Sequence, residues 1–224
     1  MREEKIIGII GALEKETAMI AAKIEDRELL RVAGMEFISG RIGGRKVVAA
    51  TCGIGKVNAA CVCQTMFCRY SPDCIINTGV AGGIKDFLKP LDVVISESVA
   101  YHDLFMPEGY LTDEVPADNR LVLAAGEACA RLGIKYYKGR ISSGDQFISD
   151  AQKKQDIIKI SNPLCVEMEG AAVGHCSALN GAPFVVVRCV SDSADDGAGE
   201  VYYDFVQRAA EISSSVVLAM LETL

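Results

Sequence analysis

The sequence predicts an α/β protein whose sheet is largely parallel and buried. Short runs of β-branched residues alternate with longer stretches of helical periodicity, the pattern typical of that class. Hydrophobic residues make up 50% of the 224-residue chain, enough to bury a sizeable core. The chain has no internal repeat, low-complexity tract or long linker, so we expect a single domain over residues 1–224.

The predicted strands and helices alternate along the chain. Strands are expected where Val and Ile cluster, because branched side chains pack well on a pleated surface, at residues 6–10, 46–52, 73–79, 92–98 and 184–190. Helices are expected at residues 14–24, 56–70, 119–132, 167–180 and 202–224. The last helix is the clearest, since apolar residues recur there at three- and four-residue steps, at Phe205, Ala209, Ile212, Val216 and Ala219.

Residues 36–50 predict a departure from a purely parallel sheet. Two strand-like pieces, FISGRI and KVVAA, flank Gly43 and Gly44, which is a hairpin signal. The sheet is therefore expected to be mixed. Residues 107–116 (PEGYLTDEVP) are acidic and rich in turn formers, so they are expected to form an exposed loop.

Charge and hydropathy exclude two classes of partner. The net charge is −7, with 23 basic against 30 acidic residues, and no basic run is longer than Lys153-Lys154, which argues against nucleic acid binding. The apolar runs fall far below the roughly 20 residues that a membrane span requires. The N-terminus has no long apolar region of the secretory kind, so we expect a cytoplasmic protein.

The cysteines and the glycine loops indicate neither a metal nor a cofactor. Nine cysteines with no CxxC pair favour reduced thiols over disulfides, and Cys61/Cys63 and His175/Cys176 lack a second ligand pair. The CGIGKV segment has Ala50 where a phosphate-binding P-loop needs glycine, and Asn58 where the dinucleotide pattern needs it. We therefore expect no metal and no cofactor.

Three glycine-rich segments predict a shared small-molecule pocket. GIIGALEKE (8–16), CGIGKV (52–57) and NTGVAGG (77–83) each follow a predicted strand. Open α/β sheets bind ligands at the carboxyl ends of their strands. Glycine also lets the backbone approach a ligand and present its N–H groups.

Acidic residues stand beside two of the predicted elements. Glu167 and Glu169 are two residues apart in VEMEG, so one can face a pocket while the other caps a helix or forms an ion pair. Asp192 emerges at the end of an apolar strand and, taken alone, is more typical of a helix cap than of a functional acid. Arg188 is expected to form an ion pair at the end of that strand.

Six segments together resemble the 5′-methylthioadenosine/S-adenosylhomocysteine nucleosidases. They are GIIGALEKE, CGIGKVNAA, INTGVAGG, SGDQFI, VEMEGAAV and PFVVVRCVSD, and they follow in unbroken order over nearly the whole chain. The resemblance implies the nucleoside phosphorylase-like fold, a three-layer α/β/α sandwich around a mixed sheet. It also implies a homodimer whose partner subunit completes each pocket.

The resemblance assigns the catalytic roles to three carboxylates. Glu16 matches the residue that activates the hydrolytic water, Asp192 matches the acid that protonates N7 of adenine, and Glu169 matches the residue that binds both ribose hydroxyls. Cleavage of an N-glycosidic bond passes through a ribosyl cation and needs an acid and a base on opposite sides, so the chemistry agrees with this assignment.

The same resemblance assigns the residues that bind substrate. Met168 is expected against the sugar, and Phe147 and Ile148 against adenine. The other residues expected to line the substrate site are Ile54, Ala81, Gly82, Ser191 and Tyr202.

The chain departs from the family pattern at two places. The segment LFMPEGYLTDEVPAD is shorter than the family's loop around the 5′-alkylthio group, so Phe105, Met106 and Tyr110 are candidate replacements. Val80 stands where family members often have serine. The neighbouring pair His102 and Asp103 is expected to be structural or to lie in an interface.

Three alternative functions differ from this reading. A purine nucleoside phosphorylase would need cations for phosphate, and the GALEKE and GVAGG segments contain no arginine, while Glu16 would repel the anion. An aminodeoxyfutalosine nucleosidase is compatible with the short loop. A non-catalytic nucleoside sensor is disfavoured, because it would not need a carboxylate that activates water.

Overall fold

The computed structural model describes residues 4–104 and 114–224, in which ten strands form one sheet and six helices pack against it. The strands are β1 (Ile6–Gly11), β2 (Glu25–Val32), β3 (Met35–Ile42), β4 (Arg45–Thr51), β5 (Cys74–Gly83), β6 (Val93–Tyr101), β7 (Val115–Pro116), β8 (Tyr136–Ser143), β9 (Cys165–Glu167) and β10 (Phe184–Asp192). The helices are α1 (Glu14–Lys23), α2 (Lys56–Tyr70), α3 (Asn119–Arg131), α4 (Ala151–Ser161), α5 (Gly170–Leu179) and α6 (Ala198–Leu221).

The sheet is mixed, as predicted. Strand β1 lies between β4 and β5 and is parallel to both, and β5 is also parallel to β10. The predicted hairpin is the antiparallel pair β3–β4, and β2 adds a further antiparallel strand outside it. At the other end, β10, β6, β8, β9 and β5 are joined in that order, and the pairing of β10 with β5 closes the sheet on itself.

Helices cover both faces of the sheet and complete the predicted three-layer sandwich. Helix α6 packs against α1, α3, β5 and β10, while α2 packs against α5 on the other side. The inner face of α6 buries Ala209, Val216 and Met220, which follow the three- and four-residue spacing of its sequence. Strand β10 is buried at every position because helices cover it from both sides.

Several elements differ from the sequence prediction. Strands β2, β7, β8 and β9 and helix α4 were not predicted. Strand β2 is almost entirely exposed and charged, so it lacks the apolar alternation on which strand prediction depends. Helix α5 begins at Gly170 rather than at residue 167, because Glu167 still pairs in β9, and α6 begins at Ala198 rather than at residue 202.

Two strands run beyond their predicted ends and carry the glycine-rich and acidic segments into the sheet. Strand β5 continues to Gly83 and β10 to Asp192, and Gly82 pairs with Asp192. Glycine and aspartate are rare in strands, so their sequence predicts an earlier end. Because these strands are parallel to β1 and β4, their carboxyl ends meet at one edge of the sheet, next to Gly11 and Thr51.

The structure describes only part of the segment between β6 and α3. Phe105, Met106 and Tyr110, and most of the predicted loop 107–116, lie outside the described residues; the last two residues of that range form β7. None of the helices within 4–104 and 114–224 is long and apolar enough to cross a membrane.

Candidate active site

Glu16 lies in the first turn of α1, with its carboxylate held by the backbone of two strand ends. Its Oε2 accepts hydrogen bonds from the N–H groups of Ala12 (2.8 Å) and Leu13 (2.9 Å), and its Oε1 accepts one from the N–H of Val80 (2.9 Å). The residue is 3% exposed, and this burial raises the pKa of its carboxyl, against the lowering effect of Arg188 and the three N–H groups. Two of the three glycine-rich segments therefore meet at Glu16.

Glycine at position 79 permits a close approach of the Glu16 and Arg188 side chains. A Cβ atom on Gly79 would lie 2.6 Å from Oε1 of Glu16 and 2.9 Å from Nη1 of Arg188. Any larger residue would displace one of these charged groups. The glycine is required by space, since its backbone lies in an ordinary strand conformation.

Arg188 and Glu167 form a buried ion pair in the interior of the fold. Nη2 of Arg188 donates to Oε2 of Glu167 and also to Oδ1 of Asn77, at 2.6 Å. Arg188 is 1% exposed, and the prediction of an ion pair is right, but Arg188 lies in the middle of β10 and not at the end of that strand. The cation is placed there because β10 pairs with β5 and is covered on both faces.

Glu167 acts as a structural acceptor for the start of α5. Its Oε2 accepts from the N–H groups of Glu169 (3.0 Å) and Gly170 (2.7 Å), and its Oε1 accepts from the hydroxyl of Ser143. Burial alone would raise the pKa of Glu167, but Arg188 and these donors hold it below its usual value. Of the two glutamates in VEMEG, Glu167 is the one engaged in pairing.

Glu169 is the N-cap residue of α5 and is 6% exposed. Its Oε1 accepts from the N–H of Gly55 (2.8 Å), which brings the third glycine-rich segment to the same place, and its Oε2 is 3.8 Å from Nη2 of Arg188. Burial, together with the negative charge of Glu167, raises the pKa of Glu169 to about 7. Glu169 therefore lies close to the Arg188 cation without a direct hydrogen bond to it.

Asp192 ends β10 and is 1% exposed. Its Oδ1 accepts from the N–H of Ala194 (2.9 Å), and its Oδ2 accepts from the hydroxyl of Ser191 (2.7 Å). Burial raises its pKa, against the lowering effect of these two hydrogen bonds. The helix cap favoured by the sequence alone is wrong, because α6 begins six residues later and the carboxylate instead closes the turn at its own strand end.

Tyr202 places an aromatic ring near the carboxyl edge of the sheet. Burial raises the pKa of its phenol, and the negative charges of Glu16, Asp192 and Glu169 raise it further. The ring of Phe147 contacts that of Tyr202 edge to face, with centroids 5.5 Å apart. Phe147 is 48% exposed, which leaves part of its ring open to a ligand.

The remaining predicted substrate residues have different degrees of exposure. Ile54 is exposed beside Gly55, and Met168 is half-buried next to Glu169. Ala81 is buried, and its carbonyl accepts from the hydroxyl of Ser191 (3.3 Å). Ile148 is buried in a small apolar cluster with Ala194. Gly82 allows close packing, since a Cβ atom there would lie 2.9 Å from Oδ1 of Asp192.

A charged cluster that the sequence did not predict fixes the segment before Phe147. Nζ of Lys56 contacts Oδ1 of Asp103 (2.5 Å), and Oδ2 of Asp103 accepts from the N–H of Asp145 (2.8 Å). His102 is buried, with its ring packed against Gly144. Asp103 and His102 thus make structural contacts, as expected of this pair. Lys56 belongs to the GK dipeptide of CGIGKV, the segment that does not fit the phosphate-binding P-loop pattern.

Two further observations bear on ligands. Within residues 4–104 and 114–224, no three His, Cys, Asp or Glu side chains come together as a metal site. A groove of about 1300 Å³ lies at the opposite edge of the sheet, between the start of β1 and the end of α6. None of the three carboxylates lines it, so the candidate site is the carboxyl edge, where buried acids converge.

Comparison with known proteins finds matches over nearly the whole chain. The family model described as "Phosphorylase superfamily" matches residues 6–222. The chain is 40% identical over 223 residues to the 5′-methylthioadenosine/S-adenosylhomocysteine nucleosidase of Geobacillus thermodenitrificans (strain NG80-2), covering 95% of this chain and 94% of that protein.

Solved structures of two hydrolases superpose on nearly the whole chain. The Neisseria meningitidis 5′-methylthioadenosine/S-adenosylhomocysteine nucleosidase, in complex with methylthio-immucillin-A, superposes with a TM-score of 0.95 at 33% identity and covers 98% of this chain and 100% of that chain. The futalosine hydrolase of Helicobacter pylori strain 26695 superposes with a TM-score of 0.94 at 26% identity over 100% of both chains.

Proposed function

The chain belongs to the phosphorylase superfamily and, within it, to the 5′-methylthioadenosine/S-adenosylhomocysteine nucleosidases, and on that premise we propose that it hydrolyses the N-glycosidic bond of these two nucleosides. The products are adenine and the 5′-substituted ribose. The observation that carries the proposal is the convergence of three buried carboxylates, Glu16, Glu169 and Asp192, at the carboxyl edge of the sheet. Each has a raised pKa.

Asp192 is the proposed general acid. Burial favours its protonated form, and a protonated carboxyl can donate to N7 of adenine, so that the base leaves as a neutral molecule. The N–H of Ala194 and the hydroxyl of Ser191 hold its two oxygens in place. The two groups that hold the oxygens are a backbone N–H and a buried hydroxyl, and neither of them carries a charge.

Glu16 is the proposed group that activates water. Its carboxylate is held from two sides by three backbone N–H groups, and a carboxylate has four acceptor positions, so one position remains for a water proton. Glu169 is the proposed ligand of the ribose hydroxyls. A carboxylate there orients the sugar and stabilises the positive charge that develops on it.

Aromatic and apolar residues are proposed to form the rest of the pocket. Phe147 and Tyr202 present a partly open aromatic surface for adenine, and Ile148 continues that segment. Met168 lies next to Glu169, on the proposed ribose side. The other proposed contributors are Ile54, Ala81, Gly82 and Ser191.

We also propose that the protein is a cytoplasmic homodimer. Exposed apolar side chains lie on the neighbouring helices α2 and α5, where Val57 is 73% and Leu179 76% exposed. Ile54, a proposed substrate residue, is 55% exposed just before α2, so a second subunit on this face would enclose it. Analytical ultracentrifugation tests the dimer, and a fully active monomer would contradict it.

The experiment that tests the activity separates water from phosphate as the acceptor. The protein is incubated with 5′-methylthioadenosine in the presence and absence of phosphate, and the products are separated by chromatography. Adenine and methylthioribose in both samples are expected, whereas strict dependence on phosphate would indicate a phosphorylase.

The structure changes one part of the argument against a phosphorylase. The glycine-rich segments contain no arginine, but Arg188 approaches Glu16 from β10. The Arg188 cation is shared with Glu167 and Glu169, so it is already neutralised by neighbouring carboxylates. A phosphate anion would be repelled, and water is the favoured acceptor.

Aminodeoxyfutalosine is the second candidate substrate. It is favoured by the likeness to a futalosine hydrolase and by the short segment after β6, which leaves the 5′-substituent undefined. The ratio of kcat/KM for 5′-methylthioadenosine, S-adenosylhomocysteine and aminodeoxyfutalosine decides between them.

Two isosteric variants test the proposed roles. Asp192→Asn and Glu16→Gln are each expected to lower kcat by at least about 100-fold, the lower range for general acid or base catalysis, while substrate binding persists. Lys159→Met, an exposed change on α4, is the matched control with an unchanged rate. An undiminished rate in either acid variant would refute its role.

A further inference from the structure

Lys154 is a lysine that the fold buries beside the candidate acid. It lies on α4 and is 9% exposed, although lysine is rarely buried without a partner. Its Nζ donates to the backbone carbonyl of Ser193 at 2.7 Å. Ser193 is the residue directly after Asp192, so this contact reaches the turn that holds the acid.

Helix α4 holds the same turn at two further points. Ala194 is fully buried and packs in a small apolar cluster with Ile157 of α4. Closer to the start of the helix, the N–H of Ala151 donates to Oδ1 of Asp196, at 3.1 Å. The turn at 193–196 therefore rests on α4 along its length.

The turn at 193–196 determines where the Asp192 carboxylate lies. The N–H of Ala194 donates to Oδ1 of Asp192, and Ala194 has a positive φ of 49°, a conformation that a non-glycine residue adopts only when its surroundings hold it. The Lys154 contact is on the carbonyl of Ser193, which belongs to the same peptide group as the N–H of Ala194. A change in that peptide would shift both the N–H donor and the carboxylate.

We propose that Lys154 positions Asp192 for proton transfer, by holding the carbonyl of Ser193 and with it the 192–194 turn. The proposal rests on the acid role proposed above for Asp192. Lys154 does not touch the substrate, so it is a positioning residue. The charge of Lys154 also lowers the pKa of Asp192, which limits the effect of burial.

Other lysines on α4 do not share this environment. The side chain of Lys159 is 71% exposed and pairs with Asp156 on the same helix. Nζ of Lys153 donates to Oε1 of Gln146 at 2.9 Å, in an exposed contact. Among these three lysines, only Lys154 contacts the turn that follows Asp192. Lys159 therefore supplies a control from the same helix.

The test compares Lys154→Met with Lys159→Met. Methionine keeps most of the side-chain length but cannot donate to Ser193. We expect kcat for 5′-methylthioadenosine to fall about 10- to 100-fold in Lys154→Met, the range for a small displacement of a catalytic group, and to be unchanged in Lys159→Met. A kcat for Lys154→Met within about twofold of the control would overturn the inference.

A binding measurement separates positioning from damage to the pocket. Calorimetry measures the affinity of Asp192→Asn and of Asp192→Asn/Lys154→Met for 5′-methylthioadenosine. Affinities that agree within about threefold support a role through Asp192 alone, whereas a loss of affinity as large as the loss of kcat contradicts it.

Three further outcomes are decisive. If Lys154→Met does not fold, Lys154→Gln, which is too short to reach Ser193, takes its place; if neither folds, Lys154 supports the fold and the inference is wrong. If Asp192→Asn keeps the wild-type rate, the proposed function itself has failed. If Asp192→Asn is inactive while Lys154→Met is fully active, only the inference about Lys154 has failed.

Discussion

Replacing Arg188 by methionine tests the electrostatic arrangement on which the site depends. The side chains of Arg188 and Glu167 are each 2% exposed, so removal of the cation leaves an unpaired buried carboxylate. Breaking a buried ion pair typically costs about 3–5 kcal/mol of unfolding free energy. Asn77 also loses the donor to its Oδ1, so we expect a cost in the upper half of this range.

A second substitution, Glu167→Gln, is expected to change stability in opposite directions in the wild-type and Arg188→Met backgrounds. In the wild-type background it weakens the partner of a buried guanidinium and should destabilise the protein. In the Arg188→Met background it removes an unpaired buried charge and should stabilise the protein. The coupling between the two substitutions is therefore expected to reach about 2–3 kcal/mol, near the upper end for contacting residues.

The assay is urea unfolding of the wild type, both single variants and the double variant at one protein concentration, at about pH 5 and about pH 8. Burial raises the pKa of Glu167 and Arg188 lowers it, so without Arg188 we expect that pKa to rise above its usual value. A carboxyl with a raised pKa loses stability as pH rises from its unfolded value, so the penalty of Arg188→Met should be larger at the higher pH. Additive effects within about 0.5 kcal/mol, or a penalty that does not change with pH, would refute the reasoning.

Three further predictions concern activity. Because the proposed contact with the ribose hydroxyls requires the ionised form of Glu169, and burial raises its pKa to about 7, kcat/KM should fall as pH decreases below that value, and a pH–rate profile of Glu169→Gln should lack this decline. Gly79→Ala should lower kcat/KM at least about tenfold by displacing Glu16 or Arg188, unlike Gly199→Ala, which meets open space; equal rates would contradict the spacing argument. Phe147→Ala should raise KM about tenfold or more through lost stacking on adenine, with a smaller effect on kcat, and an unchanged KM would place adenine elsewhere.

The sequence predicted the central strands, the hairpin and the convergence of the glycine-rich segments, because each depends on local pattern. IIGII and FVVVRCV are apolar runs bounded by turn residues, and such runs identify buried strands directly. Helix α4 was missed, since AQKKQDIIKIS carries only a short apolar face and its role depends on contacts with the turn after β10. Strand β2 was missed because an exposed, charged edge strand has no apolar face to detect.

The candidate site residues also differ in how far the sequence predicted them. Motif resemblance was sufficient to select Glu16, Glu169 and Asp192 as candidates, since they stand within the segments that resemble the family, and the structure buries all three. Arg188 was predicted only as a pair at a strand end, because strand pairing and not spacing places it between Asn77 and Glu167. Lys154 has no sequence signal, since a lysine beside another lysine in a charged helix is typical of an exposed surface.

The different environments of Glu167 and Glu169 show how one buried cation creates two kinds of carboxylate. Glu167 receives the direct contact of Arg188, together with two backbone N–H groups and a hydroxyl, so it stays ionised and structural. Glu169 lies 3.8 Å from the same guanidinium, has one N–H donor, and carries the repulsion of Glu167. Its pKa therefore rises toward neutrality, where small changes in its surroundings change its charge. A second arginine at this site would ionise Glu169 and Glu16 fully and attract anions, and its absence from the described contacts of these carboxylates is what makes water the expected acceptor.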